Sequence, residues 1–294
     1  MSAMRRHPLV TFFVLAYALS WSLESPLVLL GDTLTDTQGF VLIILASNVP
    51  SLLAIALTAI VYGRGALHKL LRRLLSWRVE PRWYLVVLLG PVALTGGMVT
   101  LNTLVGGSAL RFDVSLLIPA VITLAFSIFP GSALGEEIGW RGYALPRLQA
   151  GRSALSASLT IGVLWGVWHL PLWLTGQPGR TPTLYAGFVL STIALSVILS
   201  WVYNSTGGSL LIVVLLHATA NLPVSLLRDL LGEGEATLPV LLYFGLMVLV
   251  AIVVVIVAGS KHLSRKHHKQ EEPSDISPKS SVYEAQPEAQ PQAQ

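Results

Sequence analysis

Glu136 and Glu137 are adjacent carboxylates in a chain that otherwise keeps acidic residues almost entirely out of its long apolar runs. Arg141 follows five residues after the first of them, and later apolar segments carry His169, His217 and Asn221. A charged side chain costs about 2.5–3.5 kcal/mol at the centre of an inserted helix, so ionisable residues in such segments read as functional. On a helix, Glu137 and Arg141 are four apart and share a face, with the acid toward the N-terminus, the favourable order. Glu136 is rotated by about 100° from Glu137. One carboxylate can be neutralised by Arg141 while the other stays free for chemistry. Trp165 and His169 form a second pair at helical spacing, and Pro171 loosens the backbone just beyond. His217 and Asn221 form a third, separated by the small residues Ala218, Thr219 and Ala220, which permit close helix packing.

Each pair has a bland alternative: an interfacial charge cluster, a hydrogen-bonded packing histidine, or inter-helix hydrogen bonds that hold a bundle. Together they are harder to explain by packing. Of seven histidines only His169 and His217 fall in apolar segments, the others lying in basic flanks. Withdrawn from water, a carboxylate becomes a competent general base near neutral pH. Beside a neutral imidazole it can orient and deprotonate a water. A second histidine with an asparagine supplies donors for the oxyanion of a tetrahedral intermediate, each worth about 3–4 kcal/mol when well placed. This set suits amide hydrolysis without a covalent nucleophile. Glu136, His169 and His217 are equally a two-histidine, one-carboxylate set able to hold zinc with an open position. The sequence does not separate the two, and no cofactor is the preferred reading. The chain has no H-E-x-x-H, no G-x-S-x-G elbow and no phosphate loop. Cysteine is absent, which removes thiolate chemistry and disulfides.

The elements that must position these residues are membrane helices. The chain has 294 residues, 53% hydrophobic and 12% charged, against about 25% charged in an ordinary soluble domain. About 20 apolar residues span a bilayer as helix, and eight segments qualify: about 9–30, 39–62, 83–105, 115–137, 154–175, 183–203, 208–227 and 237–259. The expected fold is an all-α, polytopic membrane helical bundle. Pro130-Gly131 interrupts the fourth segment just before the glutamates. The first segment, after Arg5-Arg6, is read as a retained anchor and not a signal peptide. With the N-terminus in the cytosol, sixteen of nineteen Lys and Arg residues fall on the inner side, which places both termini there. The net charge of +4 is thus a topology signal and not a nucleic-acid footprint. Residues 65–77 read as a basic amphipathic helix, lying either on the inner membrane surface or on the protein itself. Residues 1–260 form the expected transmembrane domain, and 261–294 an expected disordered cytosolic tail whose lysines attract lipid. Glu24 is a further carboxylate in the first span, with no assigned role.

In order and spacing, Glu136-Glu137…Arg141, Trp165…His169 and His217…Asn221 resemble the CAAX protease and bacteriocin-processing (Abi) family, which includes the type II CAAX prenyl endopeptidases. The aromatic is Trp where the family commonly has Phe. The likeness covers about residues 115–225. It implies a membrane-embedded endopeptidase of the cell membrane with a helical fold open to the cytosolic leaflet, acting on a peptide or lipidated protein substrate. By motif position it implies that Glu136 and His169 activate water, that His217 and Asn221 stabilise the oxyanion, and that Glu137 and Arg141 support the site. It favours a glutamate-type protease over a zinc enzyme. A transporter or proton pathway remains the alternative from another class, since intramembrane Glu and His also relay protons; an immunity or scaffold protein keeping the fold is a third.

Overall fold

The computed structural model describes residues 2–107, 114–177, 179–231 and 237–265. Every element among them is helical. In chain order they are α1 (Pro8–Leu29), α2 (Asp36–Leu57, continued by a π-helical turn to Tyr62), α3 (Arg64–Arg72), α4 (Pro81–Leu104), α5 (Leu117–Ile128), α6 (Ser132–Glu137), α7 (Leu145–Gln149), α8 (Ala154–Trp168), α9 (Pro182–Ser205), α10 (Leu210–Leu231) and α11 (Thr237–Ala258). A π-helical segment, Ile138–Ala144, joins α6 to α7.

Among the described residues six spans are long and apolar enough to cross a membrane, and the chain is a membrane-embedded helical bundle. Of the eight expected spans, α8 is shorter, with 15 residues, while α10 is a helix of 22 residues. At 1.5 Å per residue α8 extends about 22 Å, less than the ~30 Å hydrocarbon core. The short helix delivers His169 at its end, and α10 carries His217 and Asn221. An apolar belt that includes Val14, Leu52, Leu88, Val92, Ile118, Ile122 and Ile256 faces outward, as lipid solvation allows where water would not.

The innermost helix is α9, buried along most of its length and packed on α8 and α11. α2 lies against α1, α6 and the π segment. That last contact depends on glycine. A Cβ at Gly135 would lie 2.7 Å from the Ser47 carbonyl oxygen, and one at Gly139 would lie 2.7 Å from that of Pro50. Four residues apart, the two glycines let α6 and the π segment press onto the α2 backbone. Opposite, an aromatic cluster of Phe12, Trp140, Tyr143 and Trp168 fills the core, with Trp140 edge-on to both Phe12 and Trp168.

α3 resolves the two placements open for the amphipathic segment. Its Ala66 and Leu70 are buried against the bundle, and Arg73 Nη1 donates to the Tyr203 hydroxyl at 2.6 Å. Leu75 and Trp77 nevertheless stay exposed. The packed bundle also runs slightly past residue 260. The carbonyls of Ser260 and Lys261 accept from the first amides of α8, Asn204 donates to the His262 carbonyl, and Leu263 is fully buried. Residues 266–294, the remainder of the expected tail, lie outside the described residues.

Candidate active site

The glutamate pair arrives on a deformed helix. α6 begins after the Pro130-Gly131 break and ends at Glu137, where the wider π segment takes over; such segments are frequent at functional sites. Both glutamates and Arg141 are buried, at 1%, 0% and 0% exposure. Arg141 Nη1 donates to Glu137 Oε1 at 2.8 Å, and the same oxygen lies 2.7 Å from His217 Nδ1. Glu137 therefore ties α6 to α10. The Arg141 guanidinium also stands 4.5 Å from the Trp165 ring centre, a cation–π contact from α8. Glu136 points away from this ion pair, and its Oε2 accepts from Trp165 Nε1.

His169 is set by the end of α8. A helix leaves its last four carbonyls without regular backbone partners, and Pro171 has no N–H to offer. Side chains help to fill the gap. Trp21 Nε1 donates to the Trp168 carbonyl at 2.9 Å, and Tyr185 joins the His169 N–H on that of Gly166 at 3.4 Å, while one turn earlier Tyr17 donates to the Leu164 carbonyl. His169 Nδ1 lies 2.9 Å from the Trp165 carbonyl oxygen. A carbonyl only accepts, so Nδ1 carries the proton and Nε2 keeps its lone pair. The imidazole is thereby held in one tautomer, edge-on to Trp168 and Phe188.

His217 has a different partner. Its Nδ1 faces a carboxylate, so Nδ1 is again the donor and Nε2 is directed elsewhere. The ring lies edge-on to Trp165 at 5.1 Å. Asn221, one turn on along α10, makes a long 3.5 Å contact to Ser132 Oγ at the start of α6.

These residues meet around two neighbouring cavities. One, of ≈ 230 Å³, is lined by Glu136, Trp165, His169, His217 and Asn221 together with Phe188, Leu195, Phe244 and Met247. The other, of ≈ 250 Å³, is lined by Glu24, Ile43, Phe126, Trp168 and Leu172. Ser132, Glu136, His169, Asn221 and Ser225 belong to both walls. Glu136 thus stands where the two meet, while Glu137 and Arg141 line neither. Among the described residues no three His, Asp or Glu side chains are grouped to hold a metal ion.

Ser132, Tyr17, Trp21 and Tyr185 were not picked out from the sequence. Their types are ordinary in membrane helices, and only the fold shows whose polar groups they reach.

Comparison with known proteins bears on the same region. The family model for type II CAAX prenyl endopeptidase Rce1-like proteins matches residues 117–223. CAAX prenyl protease 2 of Methanococcus maripaludis is 28% identical over 138 residues, which are 45% of this chain and 48% of that protein. The chain spans about half the length of this curated relative. The matched stretch, residues 117–223, contains all three motifs.

Proposed function

We propose, from the chain's relationship to the CAAX prenyl endopeptidases, that it is an intramembrane endopeptidase that hydrolyses a peptide bond of a lipidated or membrane-associated substrate by glutamate-type chemistry. The observation that carries this reading is the position of Glu136. It is a buried carboxylate outside the Glu137–Arg141 ion pair, in the shared wall of two cavities, with His169, His217 and Asn221 around it.

The partners of the two histidines assign them different work. His169, bonded to a carbonyl, offers the Nε2 lone pair of a neutral ring. With Glu136 it can align a water and take part in removing its proton as the oxygen adds to the scissile carbonyl. His217, bonded to Glu137, is supported as the positively charged donor that an oxyanion needs, as a buried carboxylate supports the imidazole of a hydrolytic triad. Its Nε2–H and the Asn221 amide would hold the developing oxyanion. The proton taken by Glu136 then goes to the leaving amine as the C–N bond breaks. The apolar wall of Phe188, Leu195, Phe244 and Met247 suits an aliphatic or lipidated part of the substrate.

The proposed setting is a cell membrane with both termini in the cytosol and residues 1–260 as the protease domain. Detergent-purified wild type and Glu136→Gln are assayed on prenylated and unmodified peptides, with and without chelator. Cleavage by wild type that the substitution abolishes and chelator leaves intact is the expected result. Chelator sensitivity reversed by zinc overturns the glutamate-type chemistry. Ion flux in proteoliposomes without peptidase activity overturns the protease reading.

A further inference from the structure

The second cavity holds polar groups with no assigned role. Glu24, on α1, is 2% exposed, lines this cavity, and its Oε2 has no hydrogen-bond partner. Trp168, in the same wall and 1% exposed, has an indole N–H that is likewise unpartnered. A buried polar atom left unsatisfied costs about 1–3 kcal/mol, more when charged, and buried polar groups in folded proteins are otherwise nearly always paired. Nothing in the bundle makes Glu24 necessary for packing. Among the described residues it forms no ion pair, although Arg180 lies within electrostatic reach. The remaining wall joins the apolar Ile43, Ile44, Phe126 and Leu172 to the hydroxyls of Ser47, Thr123 and Ser127. An orphan acceptor and an orphan donor in one cavity match a ligand that brings one of each, as a peptide unit does.

The cavity is also continuous with the chemistry. Glu136 and His169 belong to its wall.

We infer that this cavity is the subsite for the peptide segment on one side of the scissile bond, where Glu24 accepts a hydrogen bond from a substrate nitrogen and Trp168 donates to a substrate carbonyl. The inference rests on the endopeptidase reading. Glu24 is then a specificity residue: it binds the chain that Glu136 cuts and takes no part in the proton transfers. The nitrogen is a main-chain amide or a basic side chain, and the two give different results.

The test uses the full chain in detergent and one prenylated CAAX-type peptide that wild type cleaves, with Glu24→Met, Glu24→Gln and Trp168→Phe compared. Glu24→Met removes the acceptor while suiting the apolar part of the wall, and Glu24→Gln keeps one acceptor oxygen. Expected are a rise in KM of about tenfold for Glu24→Met with kcat within about twofold, a smaller rise for Glu24→Gln, and unchanged thermal unfolding. N-methylating the amide that Glu24 reads should cost wild type about as much and Glu24→Met nothing further. The same loss on replacing a peptide lysine by norleucine assigns the nitrogen to a basic side chain. Folded Glu24→Met with wild-type KM on every peptide overturns the subsite and leaves the protease reading standing. Absence of cleavage by wild type, with Glu136→Gln indistinguishable from it, overturns the protease reading and the subsite with it.

Discussion

His217 Nδ1 and Arg141 Nη1 converge on a single oxygen, Oε1 of Glu137, at 2.7 and 2.8 Å. All three residues are almost completely buried, so the arrangement has no water to fall back on. The carboxylate orients the imidazole and compensates the guanidinium together. Removing one member of a buried charge pair leaves the other uncompensated, at about 3–5 kcal/mol. Glu137→Ala should therefore be far less stable than Glu136→Gln, although the two residues are neighbours. Thermal unfolding of both variants in one detergent checks the order. Equal midpoints would mean that Arg141 finds another partner.

Glu137→Gln separates orientation from charge. The amide still offers an acceptor to His217 Nδ1 but no negative charge to support a protonated ring. Because the amide also leaves Arg141 without its counter-charge, the variant should unfold at a lower temperature than wild type, while kcat of the folded protein falls by about 10²–10³, the usual loss when an oxyanion donor is disabled. Comparing kcat and KM distinguishes this from weakened substrate binding, which would raise KM alone.

Trp165 serves Glu136 and Arg141 together, donating to the carboxylate and covering the guanidinium with its ring face. Trp165→Phe keeps an aromatic face but loses the donor. A lost hydrogen bond to a charged group is worth about 1.5–3 kcal/mol, so kcat/KM should fall about tenfold or more with the fold intact. Circular dichroism and steady-state cleavage together test this. An inactive, unfolded variant would show that the indole holds the bundle and not the site.

The helical class and the membrane setting were legible from apolar length alone, because a bilayer imposes one strong constraint on every span. The spacing of Glu137 and Arg141 was legible for a similar reason, since helix geometry fixes which side chains are neighbours. The short helix α8 was harder to see. A count of apolar residues runs 154–175 through as a full span, whereas α8 stops at Trp168, where Pro171 and the side-chain capping by Tyr185, Trp21 and His169 end the ladder. The link from Glu137 to His217 spans 80 residues and left no trace in local spacing. Neither did the walls of the two cavities, which depend on how eight helices meet.

Gly139 tests how the site is held in place. Its missing Cβ admits the Pro50 carbonyl, and Gly135 does the same for Ser47. Gly139→Ala forces α2 away from the segment that carries Glu136, Glu137 and Arg141. Overpacking of this kind costs about 1–3 kcal/mol, and a shift of about 1 Å at a catalytic group can cost 10²-fold in rate. The expected outcome is a modest drop in unfolding temperature with a disproportionate loss of kcat. Gly151→Ala, where no heavy atom lies within 4 Å, is the control that should change neither.

The side of the membrane that the cavities face is the last matter the geometry makes testable. Ile43, Ile44 and Ser47 lie in the first half of the span Asp36–Tyr62, Thr123 and Phe126 in the first half of Val114–Gln149, and Phe188 and Phe244 early in α9 and α11. Glu24 is near the end of α1, and His169 follows the end of α8. All of these belong to the end of the bundle opposite the basic turns around 63–82 and 145–153. The positive-inside rule puts those turns in the cytosol, so the cavities would sit toward the outer leaflet. A site open to the cytosolic leaflet, which the family resemblance implies, would require the reverse orientation. The chain has no cysteine, so single substitutions report topology without background. With the basic end inside, Arg64→Cys in intact cells should resist a membrane-impermeant thiol reagent until the membrane is opened, while Gln177→Cys should react at once. The opposite labelling would place both termini outside and turn the cavities toward the cytosol.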